Sequence, residues 1–463
     1  MKDNKLSLHK AIFSSRDPKE IIAYGKDCTY RLYDLQLYVK SLSLYLSISS
    51  DIKTVAICVE DAFLFTVAFA SSLYAKKIPV LLGTSDPNTV DDIKNKCNLV
   101  ITDNDSTSDE IQVFDIRVLL TANPVKELSN IPSVNKDAAL TPVLDDFSKI
   151  IFYTSGSTGK AKRIEKSLDN MQQEALRVQL KSPELDSLEN KLLLATVPPF
   201  HLYGLTFRIF MPLLRHIPFY TQLTHYTEEL CAKTENIILV SSPAFLKRID
   251  KNLVCPNISF TLSAGSPLKD DVAKDFFAWS NCPVTEIYGS TETNVIGFRK
   301  AKGEAELFTT FDDVYLKKEN SGIVLYSPMI DKKFKLDDNL EFEDERFKVI
   351  GRVDKIIKIE EKRVSLTQIE NLVKQFCEVT DVVALPIDKR NRTFIGLVIA
   401  VNNGTTTYSD TEKRHQFVTS IKNTLKKHIP YVAMPRYVRI VNTIPTNEMG
   451  KKITAALREL FND

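Results

Sequence analysis

Short runs of apolar residues alternate with longer segments of mixed polarity along the first 300 residues. The apolar runs are rich in Val, Ile and Leu, which is typical of strands buried on both faces. They occupy 54–59, 78–83, 98–103, 149–155, 192–198, 236–243 and 258–265. Segments such as 167–181 and 269–279 carry apolar residues at helical spacing. The pattern predicts an α/β fold with layered, mostly parallel sheets, whose ligand-binding loops follow the carboxyl ends of strands.

The pattern changes after residue 300. Residues 312–350 combine many charges with short apolar alternation, which indicates an antiparallel β-subdomain. A strand, a helix (366–378), a strand pair, a helix (411–428) and a final strand then follow. We therefore predict a large domain over 1–353 and a small α+β domain over 354–463, joined by a hinge.

Composition narrows the class of protein. The chain has 463 residues, of which 43% are hydrophobic and 26% charged, as in soluble globular proteins. Its longest apolar run, 62–75, is shorter than the roughly 18–20 residues of a membrane span. The first residues lack the apolar core and cleavage site of a signal peptide. Seven scattered cysteines without C-x-x-C spacing indicate neither a disulfide framework nor a zinc site. We predict a cytoplasmic location.

Charge is unevenly distributed. The net charge of +2 gives no indication of a nucleic-acid partner. Residues 354–463, however, carry 18 Lys and Arg against 12 Asp and Glu, a net charge of +6. Such a region suits phosphates or an acidic protein partner, and it is equally typical of an ordinary solvated surface.

The segment YTSGSTGKAK (153–162) crowds hydroxyls, glycines and lysines directly behind an apolar run. Glycines let backbone N–H groups approach an anion, and Ser and Thr side chains add donors. A Walker loop requires G-x-x-x-x-G-K-[ST]. Here Gly156 and Gly159 are only three residues apart and Ala161 follows Lys160, so the spacing excludes it. A polar surface turn is the alternative to an anion-binding loop.

A second polar segment, EIYGSTET (286–293), follows another apolar stretch. Tyr288 is suited to stack on a base, Thr291 to donate to a phosphate and Glu292 to hold magnesium. A turn that caps a helix is the alternative interpretation.

Taken together, six motifs occur in the order found in the adenylate-forming (ANL) superfamily of AMP-binding enzymes, which the chain resembles from about residue 20 to its C-terminus. That superfamily includes acyl- and aryl-CoA ligases, peptide-type adenylation domains and firefly luciferase. The motifs are YTSGSTGKAK (153–162), PPFHLYG (198–204), SAGSPL (263–268), YGSTET (288–293), GRVDKIIKI (351–359) and PTNEMGKKI (445–453).

The resemblance implies a nucleotide site in the large domain. Thr291 would contact the α-phosphate of ATP, and Glu292 would hold magnesium. The loop around the β- and γ-phosphates would comprise Thr154, Ser155, Gly156, Ser157, Thr158, Gly159 and Lys160. The wall beside the adenine would comprise Ala264, Gly265, Ser266, Tyr288, Gly289 and Ser290.

The resemblance assigns further roles after residue 330. Asp338, in KLDD, takes the place of the ribose-binding Asp, although the Thr-Gly that precedes it in the family is missing. Arg352 would contact the ribose or phosphates, and Lys358 belongs to the same cofactor-binding set. Asp354 matches the hinge of the small domain. Lys451 matches the catalytic lysine that bridges the carboxylate and the α-phosphate.

The resemblance also bears on the acid. His201, in PFHLYG, would line the acyl pocket as a fourth catalytic residue beside Lys451, Thr291 and Glu292. Peptide-type adenylation domains usually have an Asp there, which pairs with the substrate's α-ammonium. A histidine does not neutralise that charge in the same way. The neighbouring aromatic and aliphatic residues favour an apolar or aromatic acid.

One departure concerns the thiol. KIEEKRVSL (358–366) has Glu361 where the family usually has a glycine beside the pantetheine channel. The variant resembles the compact ligases of bacterial aryl polyene and polyketide-like clusters, where a carrier protein serves as thiol partner.

The resemblance thus implies an ATP- and magnesium-dependent ligase that forms an acyl- or aryl-adenylate and transfers it to CoA or an acyl carrier protein. Two alternatives stay open at this point. The enzyme stops at the adenylate because Glu361 obstructs the thiol, or the protein binds nucleotide without catalysis.

Overall fold

The computed structural model describes most of the chain. The described residues are 6–13, 16–87, 90, 92–107, 111–120, 144–155, 161–180, 185, 190–319, 322–330, 332–352, 356–359, 362–389, 392–402, 408–429, 431–447 and 452–462. They belong to two compact units, Met1–Glu306 and Leu307–Asp463. The sequence predicts a boundary at 353/354, and the two compact units are divided between Glu306 and Leu307. The hinge residue Asp354 lies outside the described residues, so a mobile domain over 354–463 stays a prediction.

One sheet of the first unit has six strands in the order β6-β5-β3-β4-β7-β8. Its pairs are parallel except for β7 with β8, which form an antiparallel hairpin. The parallel strands are continuous apolar runs because both of their faces are covered. The strands are β3 (Thr54–Cys58), β4 (Ile78–Leu81), β5 (Leu99–Thr102), β6 (Gln112–Asp115), β7 (Lys149–Ser155) and β8 (Ala161–Ser167).

The other strands of the first unit follow the order β14-β13-β12-β11-β9-β10-β1-β2. The central pairs from β13 to β1 are parallel, and β13–β14 and β1–β2 are antiparallel. The strands are β1 (Ile21–Tyr24), β2 (Thr29–Arg31), β9 (Lys191–Ala195), β10 (Phe219–Tyr220), β11 (Asn236–Ser241), β12 (Ile258–Ser263), β13 (Val284–Ser290) and β14 (Asn294–Ala301).

Helices cover these sheets. The most apolar, Ala62–Tyr74, is buried along almost its whole length and begins at Asp61, whose carboxylate accepts from two backbone N–H groups of the first turn. The α-helices are Leu8–Phe13, Leu32–Ile48, Ala62–Tyr74, Leu168–Leu180, Leu202–Gly204, Met211–Arg215, Thr227–Cys231, Pro243–Lys247 and Asp270–Ser280. A π-helical segment, Leu205–Phe210, and two 3₁₀ turns, Ile93–Asn95 and Ile116–Leu120, complete the set in the described part of this unit.

The described strands of the second unit fall into four groups. Strands β19 (Asp338–Glu343), β20 (Arg346–Arg352) and β15 (Phe308–Thr310) are antiparallel neighbours. Strands β16 (Tyr315–Glu319), β17 (Gly322–Tyr326) and β18 (Phe334–Lys335) form a second sheet, and β21 (Ile356–Ile359) with β22 (Lys362–Ser365) a third. In the fourth, β23 (Val379–Lys389) runs antiparallel to β24 (Arg392–Val401), which pairs in parallel with β25 (Tyr437–Val441). Its helices are Leu366–Val373, Thr411–Leu425 and Thr454–Glu459, with a 3₁₀ turn at Tyr431–Ala433.

The predicted fold class is confirmed. The predicted strand runs, the helices at 167–181 and 269–279, and the antiparallel character of 312–350 all match observed elements. Among the described helices, none combines the length and apolarity needed to cross a membrane. All seven cysteines lie in described residues and carry free thiols.

Candidate active site

The glycine-rich segment joins the two strands of a hairpin. Strands β7 and β8 pair antiparallel, with Ser155 opposite Ala161 and Thr154 opposite Lys162. The connection therefore stands at the carboxyl end of β7, where an α/β fold presents its ligand loops. Its residues Gly156, Ser157, Thr158, Gly159 and Lys160 lie outside the described residues.

The YGSTET segment ends one strand and turns into the next. Ser290, the last residue of β13, stands opposite Asn294, the first of β14. The hydroxyl groups of Ser290 and Thr293 lie 3.1 Å apart, and the Ser290 N–H donates to the Thr293 hydroxyl at 3.0 Å. A Cβ on Gly289 would come within 2.2 Å of the Asn294 carbonyl oxygen, so only glycine fits there. The turn presents Thr291 and Glu292, both partly exposed.

Glu292 is held by a lysine from the other sheet. The Lys162 Nζ donates to Glu292 Oε1 at 2.9 Å. Burial alone would raise the pKa of the Glu292 carboxyl, but the hydrogen bond and charge of Lys162 outweigh it and keep that pKa below its ordinary value. Glu292 is therefore a carboxylate at neutral pH. This contact joins the segments YTSGSTGKAK and YGSTET across 130 residues of chain.

The turn predicted to lie beside the adenine follows β12. Ala264 is buried, and Gly265 has a φ of +97°, a left-handed conformation that favours glycine. The turn is held by Glu286, whose carboxylate accepts from the Leu268 N–H at 2.7 Å. Arg299 binds the same carboxylate through Nε at 2.6 Å and donates through Nη2 to the Leu268 carbonyl at 2.8 Å.

Tyr288 lies two residues beyond Glu286 on β13 and is partly buried. Strand β13 pairs with β12, and Glu286 stands opposite Ser263, the residue before Ala264. The turn 264–266 therefore leaves β12 beside the end of β13 that carries Tyr288. Ser266 is partly exposed in this turn.

His201 precedes the helical segment 202–215. Its ring lies beside Gly83, since a Cβ on Gly83 would stand 3.2 Å from His201 Cε1. Gly83 follows β4 with a φ of +77°, so the histidine is placed at the carboxyl edge of the six-stranded sheet. The rings of Phe200 and His201 are 5.1 Å apart. Further along, the Tyr203 hydroxyl donates to the Ser241 carbonyl at 3.0 Å.

The remaining predicted residues belong to the second unit. Asp338, the first residue of β19, stands directly opposite Arg352, the last of β20, which places the ribose-site candidates on adjacent strands. Lys358 lies on β21. Arg352, Lys358 and, in the first unit, Ser155 are described by their backbone alone. Lys451, Asp354 and Glu361 lie outside the described residues.

The structure also contains functional candidates that the sequence prediction missed. Lys162 and Lys166 on β8 both reach Glu292. The Glu286–Arg299 pair holds the 264–268 turn, and Gly83 leaves room for His201. The Glu286–Arg299 ion pair was predictable from the sequence if 284–301 is read as a β-hairpin. In that hairpin Glu286 on β13 stands opposite Arg299 on β14.

Comparison with known proteins gives consistent matches. The sequence profile of the family described as AMP-binding enzyme matches residues 15–312. A 4-coumarate–CoA ligase of Cereibacter sphaeroides is 22% identical over 308 residues, which are 66% of this chain and 70% of that protein. A D-alanine–D-alanyl carrier protein ligase of Staphylococcus aureus is 27% identical over 127 residues, 27% of this chain and 25% of that protein.

Solved structures match over the whole length. The crystal structure of ATP-bound MatB from Rhodopseudomonas palustris covers 99% of both chains with a TM-score of 0.76 and 17% sequence identity. At that identity the likeness establishes the fold.

Proposed function

The chain belongs to the AMP-binding enzyme family, and from this premise we propose that it joins a carboxylic acid to the AMP portion of ATP and passes the acyl group to a phosphopantetheine thiol. The family predicted from the sequence motifs is confirmed, as is an AMP-forming ligase of the acid–thiol class. The acid, the thiol and the role of each residue are our proposals.

The contact between Lys162 and Glu292 carries the proposal. It brings the end of the glycine-rich hairpin to the tip of the YGSTET turn at 2.9 Å. A cation and an ionised carboxylate thus meet beside the loop that we propose binds the phosphates. This pairing suits a triphosphate with its metal ion, because the lysine can bind phosphate oxygens while the carboxylate binds the metal.

The residues present fit a magnesium ion. Magnesium in such sites is bound by one or two carboxylates together with phosphate oxygens, and Glu292 supplies one ionised, partly exposed carboxylate. Among the described residues no cluster of three metal-binding side chains occurs, so phosphate would complete the coordination. The ion would neutralise charge on the phosphates during transfer.

The chemistry of the first step needs positive charge and hydrogen-bond donors. A carboxylate oxygen attacks the α-phosphorus, a mixed anhydride forms and pyrophosphate leaves. Two anions approach each other in this step, so groups that bind the accumulating charge lower the barrier. Thr291 and the residues 154–160 would supply donors, and Lys451 would bridge the carboxylate and the α-phosphate. A thiolate then attacks the carbonyl carbon, and AMP leaves with one carboxylate oxygen.

An apolar or aromatic acid fits the surroundings of His201. The Phe200 ring packs near the His201 ring. On the helical segment that follows, the rings of Tyr203 and Phe207 lie 5.4 Å apart. The 4-coumarate–CoA ligase among the relatives supports an aromatic acid. In this chain, His201 would lie near the carboxylate of the substrate acid rather than pair with an ammonium group.

For the thiol we propose an acyl carrier protein, with CoA as the weaker acceptor. The net charge of +6 over 354–463 favours an acidic protein partner. The carrier protein ligase among the relatives supports this choice, although it matches only about a quarter of each chain. Glu361, with its negative charge, would oppose free CoA. The proposed location is the cytoplasm.

Pyrophosphate exchange tests the first step. The purified protein is incubated with ATP, labelled pyrophosphate and a panel of aryl, short-chain and long-chain acids. We expect exchange with an apolar or aromatic acid and its near-complete loss in Glu292→Gln and Lys451→Ala. Exchange with none of the acids would contradict the proposal and favour a protein that only binds nucleotide.

Acyl transfer tests the second step. The protein is given CoA or a carrier protein with its phosphopantetheine arm, and thioester formation is measured at equal thiol concentration. Faster transfer to the carrier protein supports the proposal, and equal or CoA-only transfer would overturn the choice of acceptor. Release of free adenylate with neither thiol would favour an enzyme that stops at the first step.

A further inference from the structure

A buried polar network lies directly behind the turn that carries Glu292. Its members are Lys166 on β8, Glu174 on the helix Leu168–Leu180 and Asn294 at the start of β14. Their exposed fractions are 9%, 2% and 1%. Charged residues are seldom buried to this extent unless they are paired, so the arrangement calls for a physical reason.

Lys166 holds the backbone of the turn. Its Nζ donates to the Glu292 carbonyl oxygen at 3.1 Å and to the side-chain oxygen of Asn294. The lysine therefore binds both the tip of the turn and its last residue.

Asn294 connects the lysine to the helix. Its amide nitrogen donates to Asn170 Oδ1 at 2.7 Å and to the Glu174 carboxylate. Glu174 also accepts from the Val295 N–H at 2.7 Å. Asn294 has a φ of +61°, a left-handed conformation that Asn adopts more readily than most residues. The side chain and the backbone of Asn294 are thus fixed together.

Stability alone is a poor explanation for this network. Desolvating a lysine and a carboxylate costs several kcal/mol per ion, and apolar residues of similar volume often serve stability as well or better. What a buried network supplies is a defined position for the groups that it binds. Here those groups are the carbonyl of Glu292 and the backbone of the residues after it.

Strand β8 holds Glu292 at two points. Lys162 and Lys166 are four residues apart, so their side chains project from the same face of the strand. The exposed Lys162 binds the carboxylate, and the buried Lys166 binds the carbonyl of the same residue. An arriving metal ion can displace the first contact while the second stays in place.

We propose that Lys166 and Asn294, supported by Glu174, are positioning residues that hold the turn 290–294 so that the Glu292 carboxylate meets the metal ion of bound ATP. The inference rests on the proposed role of Glu292 as magnesium ligand. It adds a group of residues that act through Glu292 and do not contact the metal themselves.

Calorimetric titration of the protein with ATP tests this proposal. The affinity for ATP is measured once with magnesium present and once with a chelator that removes it. Lys166→Met removes the buried donor and keeps much of the side chain's length. We expect the magnesium-dependent gain in ATP affinity to fall about tenfold, the lower end of the effect of removing a residue that supports a metal ligand. The affinity for metal-free ATP should match that of the unaltered protein, since Lys166 itself would not touch the nucleotide.

Two further variants sharpen the test. Asn294→Gly removes the connecting amide while glycine tolerates the φ of +61°, so it should lower the magnesium-dependent gain in the same direction. It carries the test if Lys166→Met does not fold. Lys149→Met, on the neighbouring strand β7, is the matched control because this exposed lysine makes a surface pair with Glu165 at 3.2 Å. It should bind both forms of ATP as the unaltered protein does.

The outcomes are distinguishable. If both variants keep the full magnesium-dependent gain, or lose affinity equally for ATP with and without magnesium, the inference is wrong and the network only supports the fold. If the unaltered protein shows no magnesium-dependent gain, or Glu292→Gln keeps it, the proposed role of Glu292 fails instead.

Discussion

Replacing Arg299 by leucine should destabilise the first unit and weaken ATP binding. Arg299 donates to Glu286 at 2.6 Å, to the Leu268 carbonyl at 2.8 Å and to the Glu306 carbonyl at 3.0 Å. Glu286 is only 4% exposed. Without Arg299, its carboxylate keeps the Leu268 N–H as the remaining donor among these contacts. Removing one partner of a buried pair costs about 3–5 kcal/mol. We expect a loss in that range.

The sole tryptophan of the chain provides the assay. Trp279 packs against the core cluster of the helix Asp270–Ser280, and its Nε1 donates to the Leu253 carbonyl at 2.9 Å. Urea unfolding followed by its fluorescence reports on the first unit. The double variant Glu286→Met/Arg299→Leu should recover much of the loss, because no carboxylate is then left buried without its partner.

The pH dependence has a defined sign. Burial raises the pKa of Glu286, and Arg299 opposes that rise. Without Arg299 the folded-state pKa of Glu286 rises further above its unfolded value of about 4.3. A group with a raised folded pKa contributes stability that is fully present below the unfolded pKa. This contribution is lost as pH rises through the folded pKa. The deficit of Arg299→Leu should therefore be smaller at pH 5 than at pH 8. A loss under about 1 kcal/mol at pH 8, or a double variant less stable than the single one, would refute the reasoning.

Two further changes test the acid pocket and the second unit. Gly83→Ala places a methyl group 3.2 Å from the His201 ring at a φ of +77°. In pyrophosphate-exchange kinetics the KM for the acid should therefore rise while the KM for ATP stays unchanged. An equal rise of both KM values would contradict this placement of His201. Asp381 is bound by Lys452 at 2.9 Å, and although burial opposes it, the charge and hydrogen bond of Lys452 keep the Asp381 pKa below its ordinary value. Asp381→Asn should then cost about 1 kcal/mol at pH 7 in urea unfolding followed by circular dichroism. The difference should shrink progressively as pH falls from about 4 through the lowered folded-state pKa of Asp381, and a difference that does not shrink over this range would count against the pair.

The strands were predictable because a strand buried on both faces is a continuous apolar run. The residues at which the strands end were less predictable. The run 78–83 extends beyond β4, which ends at Leu81, because Gly83 adopts a left-handed conformation. The run 192–198 ends at Pro198, and β9 stops three residues earlier, at Ala195.

The candidate site was predictable as far as local motifs reach. The residues of YGSTET and SAGSP were visible because glycines and hydroxyls cluster after apolar runs. The residues that hold them were not, because their contacts cross long stretches of chain. Lys166 meets Asn294 across 128 residues, and as a single lysine in a charged strand it resembles a surface residue. Its burial follows from the packing of β8 against the turn, which no local pattern encodes.

The domain division stays a prediction from the sequence. The boundary at 353/354 was drawn from a motif and a change of pattern. The compact second unit begins at Leu307, and within it β15 pairs with β20, which lies far from it along the chain. Sequence pattern indicates which segments are strands, whereas partner choice is set by the folded chain.

The central claim is that a carboxylate oxygen of the substrate becomes bonded to the α-phosphorus of ATP. It is tested by supplying an accepted acid labelled with oxygen-18 in its carboxylate, together with ATP and the thiol, and measuring the mass of each product. Our account predicts one labelled oxygen in AMP and none in pyrophosphate. Label in inorganic phosphate, or AMP without label, would contradict it.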